Sequence, residues 1–205
     1  MNDGGAFHRY YLPDQADRVP KATGGTYAFR VLFPSDLELG FQTVKNLDTI
    51  KSNILSYAVR LGSAFAPPIL SGDLQSDAHG YHLKTIYSAT LSNSNFKKDL
   101  DHELSTVLGS ISQMSDLEEV TTSVRSAFAF LNPVYIGMCS RRSFHSRLHD
   151  HLSARTGLYQ RMVERKLRWT DLALECYPIS YSEHNINRQI ERTIQLIANP
   201  ICSRM

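Results

Sequence analysis

Apolar residues recur at helical spacing along much of the chain, and we predict these stretches to be helices. The clearest runs over residues 46–61, where the apolar positions share one face and Gly62 ends the pattern. The other predicted helices cover about 96–111, the stretch from Ser115 to before Asn132, 144–167 with a break near Gly157, and the stretch from Ser182 to Pro200. Ser115 and Ser182 are the expected N-caps, because serine side chains accept hydrogen bonds from the first backbone N–H groups of a helix.

Four shorter stretches are predicted to be strands. The first is rich in β-branched and aromatic residues and is bounded by Gly and Pro, which is typical of strands. The four stretches cover 24–33, 80–91, 134–137 and 172–177. Residues 1–24 are rich in Gly, Asp and Pro without a period, so we expect a loosely packed N-terminal arm. A few strands among many helices predict an α/β (α+β) fold, with a small mixed or antiparallel sheet flanked by helices.

The length of 205 residues favours one folded unit with an elaboration rather than two independent domains. The apolar runs are too short to cross a bilayer and the N-terminus is polar, so we expect neither a membrane partner nor secretion. Three cysteines at wide spacing fit neither a disulfide framework nor a C-x-x-C metal knuckle. The predicted compartment is therefore the reducing cytoplasm.

The net charge of +2 conceals an asymmetry between the two parts of the chain. Residues 1–132 carry 11 Lys and Arg against 14 Asp and Glu, whereas residues 133–205 carry 11 against 6. A basic segment suits a polyanionic partner, because each cation placed near a phosphate releases condensed counterions. A solvated charged surface without a partner explains the same excess.

The C-terminal third also holds the most informative pattern of polar residues. A strand ending in Tyr135-Ile136-Gly137 leads into a helix with Arg147 and His151. Their spacing of four puts both side chains on one face, one turn apart, so that they can address a single ligand. The glycine permits a close approach at the strand end, where a substrate phosphate could sit. Farther on, Glu191 borders the apolar face of the last helix, where a carboxylate can bind a cation.

In this order, the features resemble the GIY-YIG nuclease superfamily, which includes homing endonucleases, the excision-repair incision subunit and some restriction enzymes. The motifs that carry the resemblance are Gly25-Thr26-Tyr27, Tyr135-Ile136-Gly137, Arg147 with His151, and Glu191 with Ile194 and Pro200. They are similar to the first motif, the second motif, the catalytic helix, and the metal-binding glutamate with its proline-containing tail. The resemblance covers 24–33 and 133–204, a little under half of the chain.

The chain departs from the family pattern in three places. The gap from Gly137 to Arg147 is slightly longer than usual, and Ser203 stands where relatives often have an asparagine, for which Asn199 is a candidate substitute. Tyr27 lies over a hundred residues before the second motif, where most relatives have a short hairpin. Either a subdomain is inserted, or the first strand is nearer, at 127–130. We favour the insertion, because 127–130 completes a helical stripe and lacks a tyrosine.

The resemblance implies the following division of the chain and of the chemistry. Residues 1–24 form the arm, 25–34 and 133–205 a GIY-YIG-like nuclease domain, and 35–132 a mostly helical insertion. Glu191 would hold one Mg²⁺ or Mn²⁺ through oxygen ligands, and Arg147 would fork onto the phosphate. Tyr27 would take the proton from the attacking water. Tyr135 and His151 would orient these groups, and either could instead be the proton acceptor.

The implied activity is that of a metal-dependent DNA endonuclease, in a restriction, mobile-element or defence role. Double-stranded DNA is the expected partner, RNA remains an alternative substrate, and cleavage of both strands favours a homodimer. The residues expected to contact nucleic acid are Arg141, Arg142, Arg155, Lys166 and Arg168.

Two other interpretations compete with the nuclease. The first is a catalytically inactive nucleic-acid-binding or assembly protein with the same fold. The second is a zinc cluster of His145, His149 and His151, of which His145 and His149 stand four apart on the predicted helix. A third ligand for zinc is not evident from the neighbouring sequence, and this weakens the second interpretation.

Overall fold

The computed structural model describes residues 8–21, 24–44, 46–65, 72–77, 80–85, 94–139, 142–178 and 184–202. The strands are β1 (His8–Tyr11), β2 (Gly25–Val31), β3 (Gly72–Asp77), β4 (Gly80–Thr85), β5 (Tyr135–Cys139) and β6 (Leu172–Pro178). The helices are α1 (Asp36–Leu39), α2 (Leu47–Ser63), α3 (Ser94–Ser110), α4 (Met114–Ala129), α5 (Phe144–Leu152), α6 (Leu158–Glu164) and α7 (His184–Ala198). Short 3₁₀ helices occur at Ala16–Arg18 and Trp169–Asp171.

Four strands form an antiparallel sheet in the order β1-β6-β2-β5, and β3 and β4 form a separate antiparallel hairpin. The predicted mixed α and β class is confirmed, and of the two sheet types predicted the antiparallel one is found. The expectation of a loosely packed arm over 1–24 is wrong for its described part. His8–Tyr11 is an edge strand of the sheet, and Val19 is 1% exposed. Backbone pairing with β6 holds this segment in the sheet, and no local sequence pattern predicts that pairing.

The helix predictions hold with local corrections. Helix α2 ends near the predicted glycine, and α5 and α6 are separated at Gly157, as predicted. Ser115 is not the cap of α4. The helix begins at Met114, so its N-cap is Gln113 and Ser115 lies in its first turn. Ser182 lies outside the described residues. The strand predicted over 80–91 is described as β4 to Thr85, and its continuation falls outside the described residues.

The two faces of the four-stranded sheet differ in chemistry, because successive side chains of a strand point to opposite faces. Tyr27 and Phe29 of β2 lie on the face that packs against α5, together with Tyr135 and Leu174. We call this the inner face. On the outer face, the buried Glu175 lies between two arginines: Arg9 Nη2 is 2.5 Å and Arg30 Nε 2.7 Å from its carboxylate oxygens.

Helix α2, which lies between β2 and β5 in the chain, packs into the same hydrophobic core as the sheet. Ile50, Ile54 and Leu61 of α2 are fully buried in this core. Arg60 of α2 also donates two hydrogen bonds, of 2.6 and 2.8 Å, to the buried Asp171 just before β6. Helix α2 is therefore joined to the sheet both by apolar contacts and by an ion pair.

The outer edge of β5 is covered by α7 and the residues after it. Glu191 Oε1 accepts a hydrogen bond from the Met138 N–H at 3.3 Å, and Gln195 Nε2 donates to the Ile136 carbonyl at 2.7 Å. The Cys202 N–H donates to the Val134 carbonyl at 2.7 Å. Side chains of α7 and the Cys202 N–H thus satisfy an edge that would otherwise be open to another strand.

The predicted apolar face of the last helix is only partly buried, because Ile197 is 80% exposed. None of the helices in the described part of the chain is long and apolar enough to cross a membrane.

Candidate active site

Tyr27 lies in the middle of β2, directly opposite Gly137 on the neighbouring strand β5. The backbone at Gly137 gives the Tyr27 phenol its space: a Cβ atom at 137 would collide with the Tyr27 hydroxyl and lie 2.9 Å from Tyr135 Cε1. The glycine of the Tyr-Ile-Gly motif is therefore explained by the approach of a phenol. Whether a substrate phosphate also uses this space remains a prediction.

The hydroxyl of Tyr27 connects β2 with α5. It lies 2.8 Å from Nε2 of His151, whose Nδ1 is 2.7 Å from Oγ1 of Thr156. His151 is 1% exposed. Burial, and next the charge of Arg147, lower the pKa of His151 to about 3, although Asp150 partly opposes this shift. The imidazole is thus neutral near pH 7 and has one nitrogen without a hydrogen. In the tautomer with the hydrogen on Nδ1, Nε2 accepts a hydrogen bond from the Tyr27 hydroxyl.

Arg147 lies one turn before His151 and reaches the same hydroxyl, with its Nε 3.2 Å from Tyr27 Oη. Burial opposes the positive charge of Arg147. The neighbouring Tyr27 and Tyr135 outweigh that effect, and the pKa of the guanidinium is raised above its ordinary value. Its side chain is 31% exposed, so the cluster contains a permanent positive charge that solvent can reach.

The two phenols are held in their protonated form. Burial raises the pKa of Tyr27 well above 10, and Tyr135 adds to the rise, while Arg147 partly offsets it. The pKa of Tyr135 is raised by burial and next by the negative charge of Glu191, and its hydrogen-bonding interactions with Tyr27 and Arg147 act in the opposite direction. Neither tyrosine exists as a resting phenolate near pH 7.

Glu191 approaches the cluster from the edge of β5. Its carboxylate accepts from the Met138 N–H, lies 3.5 Å from Gln195 Nε2, and is close enough to influence the pKa of both Tyr135 and Cys139. A half-buried carboxylate beside two phenols offers a hard oxygen ligand. Mg²⁺ commonly binds to one or two carboxylates and keeps several waters, so this donor set is compatible with such an ion.

The structure therefore brings the predicted site residues together. Tyr27, Tyr135, Arg147 and His151 form one hydrogen-bonded cluster, and Glu191 lies at its margin. No sequence pattern pointed to Thr156, which follows the end of α5 and orients the histidine ring. Gln195 was also missed, although its position four residues after Glu191 on an amphipathic helix was a usable signal.

The residues predicted to contact nucleic acid are more dispersed. Arg142, just before α5, is exposed and pairs with Asp150 of that helix. Arg155 and Lys166 are also exposed. Arg168 pairs with Asp171 and lines a cavity on the outer face, so it does not join the inner-face cluster. Arg141 lies outside the described residues.

The outer-face cavity has a volume of about 1030 Å³ and is lined in part by Arg9, Arg30 and Glu175. None of the five predicted site residues lines it. Its size makes it a possible ligand site, but its arginines are already engaged by carboxylates. The inner-face cluster, with a neutral imidazole and a guanidinium on one hydroxyl, is the better candidate for chemistry.

The three cysteines are free thiols and are buried. Burial raises the pKa of Cys176 to about 12 and that of Cys139 and Cys202 to about 11, so none is activated as a nucleophile. Comparisons with protein-family models, with curated proteins and with solved structures find no match to this chain.

Proposed function

We propose that the protein is a metal-dependent DNA endonuclease of the GIY-YIG type. The observation that carries the proposal is the meeting of Tyr27, Tyr135, Arg147 and His151 in one hydrogen-bonded cluster, with Glu191 beside it. The resemblance of the motifs implies the same set of residues. A chance match of short motifs would not require residues so distant in the chain to converge.

Arg147 binds and orients the scissile phosphate in this proposal. Its guanidinium stays charged and presents a planar set of donors, which matches phosphate oxygens better than a lysine does. The Nε atom is already held by Tyr27, so the orientation of the side chain is preset. Preset donors stabilise the charge that develops on the phosphoryl oxygens.

Tyr27 and His151 move the proton of the attacking water. As the water oxygen bonds to phosphorus and the bond to the leaving oxygen breaks, the water proton passes to Tyr27 Oη. The Tyr27 proton passes to His151 Nε2, 2.8 Å away. This coupled transfer avoids a free phenolate, which the raised pKa of Tyr27 disfavours. The His151 pKa of about 3 disfavours the imidazolium in the resting protein, and the negative charge of a bound phosphate acts against that shift. Thr156 keeps the ring in place through Nδ1.

Glu191 would hold the divalent cation, Mg²⁺ or Mn²⁺. When bound, the ion supplies charge stabilisation to the phosphate and to the leaving oxygen. Glu191 itself is positioned by its hydrogen bond with the edge of β5, which places the carboxylate beside Tyr135. One carboxylate leaves room for water and phosphate oxygens as the remaining ligands.

The test is a plasmid-nicking assay with Mg²⁺ or Mn²⁺, comparing wild type with Arg147→Ala and Glu191→Gln. Matched controls are Lys97→Ala on α3 and Glu119→Gln on α4, which remove the same charges from exposed positions. We expect nicking by wild type and both controls and loss of nicking in both site variants. RNA of the same sequence, assayed in parallel, distinguishes the two nucleic acids.

One result would contradict the nuclease, and a second would contradict the role of Glu191. DNA shifted in a gel by every variant but cut by none would favour the inactive nucleic-acid-binding protein. Cleavage that persists in Glu191→Gln would remove the glutamate from the mechanism. Sedimentation with and without DNA tests the proposed homodimer, which a monomer under both conditions would exclude.

A further inference from the structure

A second cluster of polar side chains lies on α5, away from Tyr27. His145 and His149 are one turn apart, with ring centroids 4.5 Å from each other. Asp17, from the 3₁₀ helix at Ala16–Arg18, completes the group: one ligand atom from each of the three lies within 4.8 Å of the others. This carboxylate is the third ligand that the sequence did not reveal, because it lies far from the histidines in the chain.

The cluster is separate from the candidate active site. His145 and His149 precede Arg147 and His151 by two positions, which corresponds to about 200° around a helix. The two pairs therefore project from nearly opposite sides of α5.

The elements that carry the three side chains are already packed together. The His145 N–H donates to the Pro20 carbonyl at 3.2 Å, which joins the first turn of α5 to the segment after Asp17. Val19 and Phe144, next to these positions, are each 1% exposed. The backbone is thus fixed near the cluster, whereas Asp17 and His149 are exposed and His145 is half-buried. Only side-chain rotation is needed to bring the ligand atoms closer.

We propose that Asp17, His145 and His149 bind one zinc ion. Two imidazole nitrogens and one carboxylate oxygen are common zinc ligands, at about 2.0–2.2 Å from the metal. Tetrahedral geometry at those lengths places ligand atoms roughly 3.3 Å apart, so the observed separations must shorten modestly. Water takes the fourth position, which the exposure of the cluster allows. The hard cations Mg²⁺ and Mn²⁺ favour oxygen ligands and suit this set less well.

The bound ion joins the segment that follows β1 to the helix that carries Arg147 and His151. Burial lowers the pKa of His145, and the charges of His149 and Lys21 add to that shift. Lys21 is therefore a positive charge near the proposed ion. Asp17 acts in the opposite direction. Without a metal, the carboxylate would serve only to pair with a protonated histidine. Zinc binding and simple ion pairing are therefore distinguished by whether the chain binds the metal in a titration.

The experiment is a calorimetric titration of the untagged full chain with Zn²⁺ at neutral pH, together with visible spectroscopy of the Co²⁺ form. We expect one ion per chain, an imidazole-dependent Co²⁺ spectrum, and a higher Tm with Zn²⁺. His149→Ala and Asp17→Asn should weaken binding by more than the roughly 10- to 100-fold typical of outer-shell partners. His102→Gln, at an exposed position of α3, and Glu191→Gln should bind zinc as the wild type does.

Circular dichroism without metal checks that the variants fold, as expected for exposed side chains. The proposal is overturned if the wild type binds no zinc, or if the double variant His145→Ala/His149→Ala binds it with unchanged affinity. Loss of zinc binding in Glu191→Gln alone would also overturn it, because the ion would then belong to the other site. These readouts do not depend on nuclease activity.

Discussion

Tyr27 and Gly137 stand directly opposite each other on β2 and β5, and the phenol of one occupies the space that a side chain of the other would need. The pairing determines where the Tyr27 hydroxyl lies, and from there it reaches His151 and Arg147. A motif glycine and a tyrosine from a distant motif are thus two halves of one packing arrangement. The consequences can be measured in stability as well as in activity.

Gly137→Ala should destabilise the protein by about 1–3 kcal/mol, because the added methyl group overpacks the site. It should also reduce nicking by displacing Tyr27. Urea unfolding provides the free energy of unfolding. Gly109→Ala on α3 is the control: its Cβ meets no atom within 4 Å, so the change should be neutral or stabilise by about 0.5–1 kcal/mol. In a Tyr27→Ala background the Gly137→Ala penalty should shrink, and an unchanged penalty would contradict the contact.

Tyr27→Phe and Tyr135→Phe distinguish the proton acceptor. If Tyr27 is the acceptor, its loss should lower kcat for nicking by about 10²–10⁴-fold. Tyr135→Phe should then have a smaller effect. Tyr27→Phe should also cost about 1–3 kcal/mol of stability, because it removes the hydrogen-bond partner of a buried imidazole. Tyr159→Phe, at a position 43% exposed, is the control. The reverse order of kcat losses would assign the role to Tyr135.

Arg60→Met should cost about 3 kcal/mol near neutral pH, because it leaves the buried Asp171 without its bidentate partner. Burial alone would raise the pKa of Asp171, but hydrogen bonds from Arg60 and the Arg168 N–H outweigh it and lower the pKa below 3.8. This stabilisation is therefore present above about pH 4 and is lost as the pH falls through the folded-state pKa.

Urea unfolding of wild type and Arg60→Met between about pH 7 and pH 3 checks this dependence. The stability difference between the two proteins should shrink as the pH falls below about 4, because protonated Asp171 no longer attracts the guanidinium. Arg125→Met is the comparison, since its pair with Asp36 is more exposed and should contribute less than about 1 kcal/mol. A difference that stays constant over this range would show that Arg60 acts through packing alone.

The two arginines on Glu175 should behave cooperatively. Arg9→Gln and Arg30→Gln should each cost about 1–2 kcal/mol, because the other guanidinium remains on the buried carboxylate. The double variant should lose about 3–5 kcal/mol, the range for a buried charge left without its partner. A double-mutant cycle by urea unfolding measures the coupling. Strict additivity would indicate that each arginine acts independently.

Much of the secondary structure could be predicted from the sequence, because helix and strand periodicity are local properties. The spacing of Arg147 and His151 required one shared helix face, and both reach Tyr27 in the structure. The break near Gly157 was predicted, and the strand predicted over 134–137 corresponds to β5 at Tyr135–Cys139. The first turn of α4 was misjudged because a serine near a helix start is a frequent cap but not an obligatory one.

The position of β1 could not be predicted from the sequence, because β1 pairs with β6. That pairing joins Arg9 to Glu175, 166 residues away. The same holds for Thr156 behind His151 and for Asp17 beside the two histidines of α5. Each of these contacts depends on how elements pack, and packing is a property of the whole core rather than of any segment.

The sequence by itself thus determined which segments are helices and strands and which residues share a face, since the period of the backbone acts over a few residues. Only the tertiary structure decided that Tyr27 meets His151, 124 positions later, and that Gly137 makes room for the phenol. The physical reason is that strand register and helix packing are selected together by burial of one common core. Distances between residues across that core depend on both choices, so no single stretch of the chain predicts them.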